Sequence, residues 1–124
     1  MNRLNPLLKV LPFFLLLCSC SSSNPEYNKL IIGNWSGAEW LIDGKESNRD
    51  IQNTHFSFDE KGTYTFEYSG TKEEGSYKIE NDMLFTTPAG KQEIMVKIQK
   101  LTMDSLLFDM NRAGQAELLT LRRK

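Results

Sequence analysis

From about residue 30 onward, apolar side chains recur at every second position of the chain. Phe56 and Phe58 flank Ser57, and residues 63–68 continue the alternation as Thr-Tyr-Thr-Phe-Glu-Tyr. A period of two predicts strands with one buried face, because successive side chains of a strand point to opposite sides. No stretch of this region combines helical spacing with capping signals at both ends. The pattern therefore predicts an all-β domain.

Turn-forming residues separate the alternating runs. Gly62 ends the segment Asp59-Glu60-Lys61-Gly62, where a short hairpin needs a positive φ. Similar clusters occupy 69–71, 81–82, 88–90, 102–104 and 111–114. Together these signals predict about eight strands, at 32–42, 53–59, 62–69, 74–80, 82–87, 91–100, 105–110 and 116–122. Only the first connection, 43–52, is long.

Consecutive antiparallel strands can hide their edges in a barrel or in a sandwich. Short up-and-down connections favour a small eight-stranded barrel, whose interior is just wide enough to be filled or to hold one small ligand. A ligand-binding barrel should contain a void above about 300 Å³ beside the 43–52 loop. The candidates for inward positions are Phe56, Phe58, Tyr64, Phe66, Tyr68, Tyr77, Phe85, Ile94, Val96, Ile98, Leu106 and Phe108. The candidates for a ligand pocket are Trp40, Tyr64, Tyr68 and Tyr77.

The N-terminal segment differs in kind from the rest of the chain. Arg3 and Lys9 supply positive charge, and residues 11–17 form an apolar run broken only by Pro12. A membrane-spanning helix needs about 20 apolar residues, so this shorter run is more typical of a secretory signal.

The segment Leu17-Cys18-Ser19-Cys20 resembles the lipobox of bacterial lipoproteins. The resemblance implies cleavage after Ser19 and acylation of Cys20, for example with palmitate, while Cys18 leaves with the signal peptide. Several acyl chains would anchor the protein stably. The domains are then a signal peptide at 1–19, a lipidated Cys20 with a polar tether at 20–29, and a barrel at 30–124. Ser21 stands where an Asp signals inner-membrane retention in Gram-negative lipoproteins, which favours the outer membrane. The tether has no acidic cluster that would suggest export to the cell surface, so we expect the periplasmic face.

Composition narrows the functional classes. The chain has 15 basic and 16 acidic residues, which argues against nucleic-acid binding. Removal of residues 1–19 leaves 105 residues with 13 basic and 16 acidic side chains. Metal-ligand spacing, a nucleophile motif and a phosphate-binding glycine pattern are all missing from the sequence. His55 lies on the polar phase of its strand, and the adjacent Glu73 and Glu74 point to opposite faces, so they cannot act as a glycosidase-like pair. We therefore expect no enzyme activity, no metal and no cofactor.

Gly33-Asn34-Trp35, at the start of the first strand, resembles the Gly-x-Trp signature of the lipocalin (calycin) superfamily. In that family the Trp closes the base of the barrel and a basic residue of the last strand packs over it. The resemblance assigns this basic role to Arg122 or Arg123. Segments 58–64 and 74–79 are similar to the short lipocalin-like domains of bacterial lipoproteins, so the resemblance covers about 30–123.

The resemblance implies a monomeric, membrane-anchored binder of a small hydrophobic or amphipathic ligand. The chain is shorter than typical lipocalins. We expect no disulfide, because Cys18 leaves with the predicted signal peptide and no cysteine follows Cys20. The alternative is a solid barrel that serves as an interaction module for an envelope protein or a polysaccharide.

Overall fold

Nine strands and one short helix make up most of residues 23–124, the part of the chain that the computed structural model describes. The elements are α1 Pro25–Leu30, β1 Gly33–Ile42, β2 Lys45–Glu46, β3 Thr54–Phe58, β4 Thr63–Tyr68, β5 Thr71–Glu80, β6 Met83–Pro88, β7 Ile94–Leu101, β8 Ser105–Arg112 and β9 Gln115–Arg123. A single 3-10 turn, Ile51–Asn53, precedes β3.

The eight long strands close into an antiparallel barrel. β1 pairs with β3, each later strand pairs with the next, and β9 returns to pair with β1 through Trp35–Arg123 and Ile42–Glu117. The short β2 only folds back on the end of β1. Each of the eight predicted strands overlaps an observed one. The predicted fold class, an eight-stranded up-and-down β-barrel, is therefore confirmed.

The two ends of the barrel differ. At the closed end, the 59–62, 81–82 and 102–104 turns lie near α1, and Ile31, directly after the helix, is fully buried. At the open end lie the 43–53 connection, the 69–70 and 113–114 turns and the 89–93 loop. Among the described residues, no helix is long and apolar enough to cross a membrane.

The helix α1 is a correction to the sequence interpretation, which assigned residues 20–29 to a polar tether. The side chain of Asn24 accepts a hydrogen bond from the backbone N–H of Tyr27 at 3.1 Å, and Pro25 occupies the first turn. Both are standard signals of a helix start. Six residues are too few to display a helical period, so the alternation could not reveal this element.

The inward side chains of the strands form one hydrophobic core, and some of its members also line the open half of the barrel. Its buried side chains are Ile31, Trp35, Trp40, Phe58, Tyr64, Ile79, Leu84, Ile98, Leu101, Leu106, Phe108, Leu119 and Leu121. Phe85 was expected inside but lies on the outer face, opposite Lys78 and Met95. Leu84 and Phe85 are both apolar, so the sequence of β6 does not indicate which of them faces inward. Leu84 faces inward because it pairs with the buried Ile79 of β5. Ile94 keeps the inward phase but is 50% exposed, because it lies at the open rim.

The long connection after β1 is built against that strand. The register between β1 and β9 shifts between Gly37 and Glu39, which marks a bulge. A Cβ at Gly37 would lie 2.7 Å from the carbonyl oxygen of Ile51, so only glycine lets the 3-10 turn approach this closely. The connection therefore runs beside the open end rather than away from it.

Candidate functional site

The closed end contains the residues of the Gly-x-Trp resemblance. The Trp35 side chain is fully buried, and its indole N–H donates to the carbonyl oxygen of Ile31 at 2.8 Å. The guanidinium carbon of Arg123 lies 4.3 Å from the centre of the Trp35 ring. A guanidinium stacked on an indole is attracted by the electron-rich face of the ring. This contact joins the first strand to the last one.

The absence of a side chain at Gly33 leaves space for the guanidinium of Arg123. The guanidinium of Arg123 donates to the carbonyl oxygens of Ile32 at 2.7 Å, of Met103 at 2.6 Å and of Leu30. Gly33 has a φ of +135°, and a Cβ there would collide with the Arg123 guanidinium. The structure thus brings Gly33, Trp35 and Arg123 together. Arg122 instead faces outward and donates to Ser105 Oγ at 3.2 Å.

A cavity of about 140 Å³ lies in the open half of the barrel. Its lining residues are Trp40, Phe56, Tyr64, Phe66, Glu73, Thr86, Ile94, Val96, Phe108, Met110, Arg112 and Leu119. The volume is less than half of the 300 Å³ expected for a drug-sized ligand. The barrel is not solid, but its large inward side chains leave room for a smaller ligand than the sequence suggested.

Aromatic rings form one wall of this cavity. The ring centres of Phe56 and Phe66 lie 4.4 Å apart in a stacked arrangement, and Phe108 meets Phe56 edge-on at 5.6 Å. Such pairs hold one another in defined positions through their ring quadrupoles. The wall is therefore preorganised for a flat or compact apolar group.

A carboxylate faces the same cavity from β5. Glu73 pairs with Phe66 across the strands and so shares its inward face. Its Oε2 accepts a hydrogen bond of 2.7 Å from the Tyr64 hydroxyl. Burial, and then the hydrogen bond and charge of Glu73, raise the pKa of Tyr64 far above its usual value, so this phenol stays protonated and donates. Within residues 23–124, Glu73 forms no ion pair with a basic side chain.

A second carboxylate, Glu117, is almost fully buried at 1% exposure. Its Oε1 accepts a 2.8 Å hydrogen bond from the indole N–H of Trp40. Arg49 Nη2 lies 3.9 Å from the same oxygen and Arg112 Nε lies 3.8 Å from Oε2. The Arg49 guanidinium also lies over Trp40, 5.3 Å from the ring centre. A buried charge needs such partners, and this one joins the 43–53 connection to the rim of the cavity.

The four residues predicted to bind a ligand divide between the two ends. Trp40 and Tyr64 line the cavity. Tyr68 packs edge-on against Trp40 at 5.8 Å, and its hydroxyl accepts from the backbone N–H of Asp50 at 3.4 Å, so it supports the rim. Tyr77 lies near the closed end and donates to the carbonyl oxygen of Asp59 at 2.6 Å. Its expected place at the pocket is therefore corrected.

Sequence reasoning missed Glu117, Arg49 and Arg112. A signal existed for Glu117, because it occupies the same phase as Leu119 and Leu121 in the last strand. A charged residue in an apolar phase is rarely buried without partners. Arg49 could not be found, because it lies in the 43–53 connection and only barrel closure brings it near Glu117. Arg112 lies closer in sequence, across the β8–β9 hairpin from Glu117.

The remaining polar candidates do not assemble into reaction chemistry. His55 Nδ1 lies 3.3 Å from Ser36 Oγ. Glu74 faces outward and pairs with Lys72 at 3.4 Å, on the opposite face from Glu73. In the described part of the chain, no group of three His, Cys, Asp or Glu side chains could hold a metal ion. Cys20 lies outside the described residues.

The fold and these sites define a small closed β-barrel with a cavity at one end and an Arg-on-Trp contact at the other. The family model of the lipocalin-like domain matches residues 31–108, and the chain belongs to that family. The family and its fold are typical of non-catalytic binders, and the fold suits a small ligand.

Solved structures from two Bacteroides species are among those that share this fold. An uncharacterized protein from Bacteroides eggerthii is 18% identical, with a TM-score of 0.61, and the match covers 76% of this chain and 99% of that one. A lipocalin-like protein from Bacteroides uniformis is 13% identical, with a TM-score of 0.59 and coverage of 76% and 98%. A search of curated proteins finds no match.

Proposed function

We propose that this chain is a lipid-anchored, non-catalytic binder of a small amphipathic ligand in the bacterial cell envelope. The observation that carries the proposal is the 140 Å³ cavity, with aromatic rings on its wall and charged side chains at its rim. An apolar cavity of about 150 Å³ is large enough for benzene. The ligand therefore has an apolar part of about one ring, with its polar part at the open end.

Anchoring is proposed through acyl chains on Cys20, at the periplasmic face of the outer membrane. The signal-like segment and the lipobox resemblance support it. The start of the described chain is attached to the closed end: Ser23 bridges to Glu80, and Asn24 Nδ2 donates to the carbonyl oxygen of Asn81 at 2.8 Å. An anchor at Cys20 would thus hold the closed end toward the bilayer and leave the cavity open to the aqueous side.

The alternative interaction module has less support. The large exposed apolar side chains in the described part of the chain are Ile32, Ile94, Met95 and Met103. Ile32 and Met103 lie at the closed end, whereas Ile94 and Met95 lie near the open one. A protein-binding face usually presents one continuous apolar patch, so this distribution favours ligand binding.

The test is native mass spectrometry of the mature chain, purified from its own envelope in detergent and then exposed to a total metabolite extract. Wild-type protein should carry a reproducible adduct of low mass. Val96→Phe should lose it, because Val96 lines the cavity and the larger ring fills that space.

The matched control is Met95→Phe, which adds the same ring one residue away. Met95 is 59% exposed on the outer face of the same strand, so this variant should keep the adduct. A bare mass in both wild-type samples would contradict ligand binding and direct the search to protein partners. Equal loss in both variants would show that the adduct is held elsewhere.

A further inference from the structure

The charges around the cavity are unequally paired. Glu117 faces two guanidiniums, those of Arg49 and Arg112, and also accepts the Trp40 indole N–H. Glu73 receives only the Tyr64 hydroxyl and has no cationic partner among residues 23–124. The cavity is therefore lined by one carboxylate whose charge the described protein leaves unpaired.

The surroundings of Glu73 favour a cation over a neutral donor. Phe66 lies directly across the strands from Glu73 and stacks on Phe56, and the face of an aromatic ring attracts a positive charge. The Tyr64 hydroxyl occupies one carboxylate oxygen, Oε2, and so orients the group. A hydrogen bond between an ammonium and the other oxygen would be charge-assisted and stronger than a neutral one.

The two arginines determine where such a cation can bind. Arg49 and Arg112 both approach Glu117 within 4 Å. Two positive charges beside one negative charge repel a further cation from the Trp40 side of the rim. An ammonium group would therefore be directed to Glu73, while the apolar part of the same molecule enters the cavity.

We propose that the cavity binds a small protonated amine, with its ammonium group on Glu73 and an apolar body of about one ring among Phe56, Phe66 and Phe108. An aliphatic amine has a pKa near that of lysine, about 10.4, and is charged at neutral pH. The inference rests on the proposed ligand binding and specifies the ligand class.

The test compares benzylamine, benzyl alcohol and benzoate, which share one ring and differ in the charge of the polar group. Binding to the full chain in detergent is measured by isothermal titration calorimetry, with detergent alone as the blank. Benzylamine should bind about tenfold or more tightly than benzyl alcohol, as expected for a hydrogen bond to a charged group. Benzoate should bind the weakest, because Glu73 repels it.

Glu73→Gln should reduce benzylamine binding to the level of benzyl alcohol, since the amide keeps an acceptor for Tyr64 but has no charge. Glu74→Gln is the matched control, because Glu74 is the adjacent carboxylate on the outer face, paired with Lys72. It should leave both affinities unchanged. The comparison of the three probes on wild-type protein needs no variant, so the proposal remains testable if Glu73→Gln does not fold.

Equal binding of the alcohol and the amine, or tighter binding of benzoate, would overturn the amine proposal and leave small-ligand binding in place. An equal loss of amine binding in Glu73→Gln and Glu74→Gln would also overturn it, because the effect would then be long-range charge. Absence of binding by all three probes would overturn both this proposal and the proposed function of the cavity.

Discussion

At the scale of single residues, Arg123 in the last strand contacts several separate segments at the closed end of the barrel. Its guanidinium donates to carbonyl oxygens of Leu30, Ile32 and Met103 and lies over Trp35. These carbonyls belong to the end of α1, the link to β1 and the turn after β7. The planar fork of arginine can serve several acceptors at once, whereas the compact ammonium of lysine cannot reproduce that geometry.

We expect Arg123→Met to lower the free energy of unfolding by about 2–3 kcal/mol, because the partly buried carbonyl oxygen of Leu30 loses its charged donor and Trp35 loses the guanidinium over its ring. Chemical denaturation followed by tryptophan fluorescence measures the change. Arg122→Met is the matched control: its side chain bonds only Ser105 at the surface, and it should change stability by less than about 0.5 kcal/mol. Equal losses in the two variants would contradict this account of the closed end.

At the scale of elements, the hairpin between β3 and β4 is organised by one carboxylate. Asp59 Oδ1 accepts from the backbone N–H groups of Lys61 and Thr63, each at 2.9 Å, and Oδ2 accepts from the Thr63 hydroxyl. The hydroxyl of Thr63, followed by its backbone N–H, holds the pKa of Asp59 below its ordinary value of 3.8. The ionised form is therefore favoured by folding.

This pKa shift makes a prediction about acid stability. Because the pKa of Asp59 is lower in the folded state, its contribution to stability is present above its unfolded value of 3.8 and is lost as the pH falls through the folded pKa. Wild-type protein should exceed Asp59→Asn in stability at neutral pH, and the difference should shrink in the acid range.

Denaturation midpoints of both proteins between pH 7 and pH 2 measure this difference. Glu60→Gln, in the same turn, corrects for the loss of one negative charge. A stability difference between wild type and Asp59→Asn that stays constant over the whole range would contradict the role of the carboxylate.

The observed elements also show how much of the secondary structure the alternation of apolar and polar residues predicts. β3, β4 and β9 were placed within about one or two residues of their observed ends, because strict alternation and turn residues are local properties. α1 was missed because six residues show no period. The inner face of β6 was misassigned at Phe85, because both of its phases are apolar and only pairing with β5 selects one.

At the scale of the whole molecule, the start of the described chain and the cavity lie at opposite ends. Two residues lie between Cys20 and Ser23, so the distance between their Cα atoms is at most about 11 Å. Ser23 is bridged to Glu80 beside the closed end. Ile32 and Met103 are exposed there, at 36% and 68%, where apolar side chains would contact lipid headgroups. The proposed ligand would then arrive from the aqueous side.

Site-directed labelling tests this orientation, because the two natural cysteines precede the described residues. A fluorophore at Lys61→Cys, in a closed-end turn, should be quenched more strongly by spin-labelled lipids in vesicles than one at Lys91→Cys in the open-end loop. Equal or reversed quenching would contradict the orientation.

Cys20→Ala serves as the anchor control and should release the protein from the membrane fraction; unchanged fractionation would refute lipidation at Cys20.

The sequence by itself determined the strands, their up-and-down order and the resemblance to lipocalin-like domains. These depend on alternation, on turn residues and on a short motif, all of which act between near neighbours in the chain. Two of its four pocket candidates, Trp40 and Tyr64, line the cavity. Such local patterns can be recognised without knowledge of the tertiary contacts.

Only the tertiary structure decided the size of the cavity and the charges that surround it. Cavity volume depends on how the rings of Phe56, Phe66 and Phe108 pack, which no single strand determines. Glu117 meets Arg49 only because β9 closes on β1 and brings the 43–53 connection beside it, whereas Arg112 is a neighbour across the β8–β9 hairpin. The Glu117–Arg49 pair depends on distance in space, which the distance between the two residues in the chain does not predict.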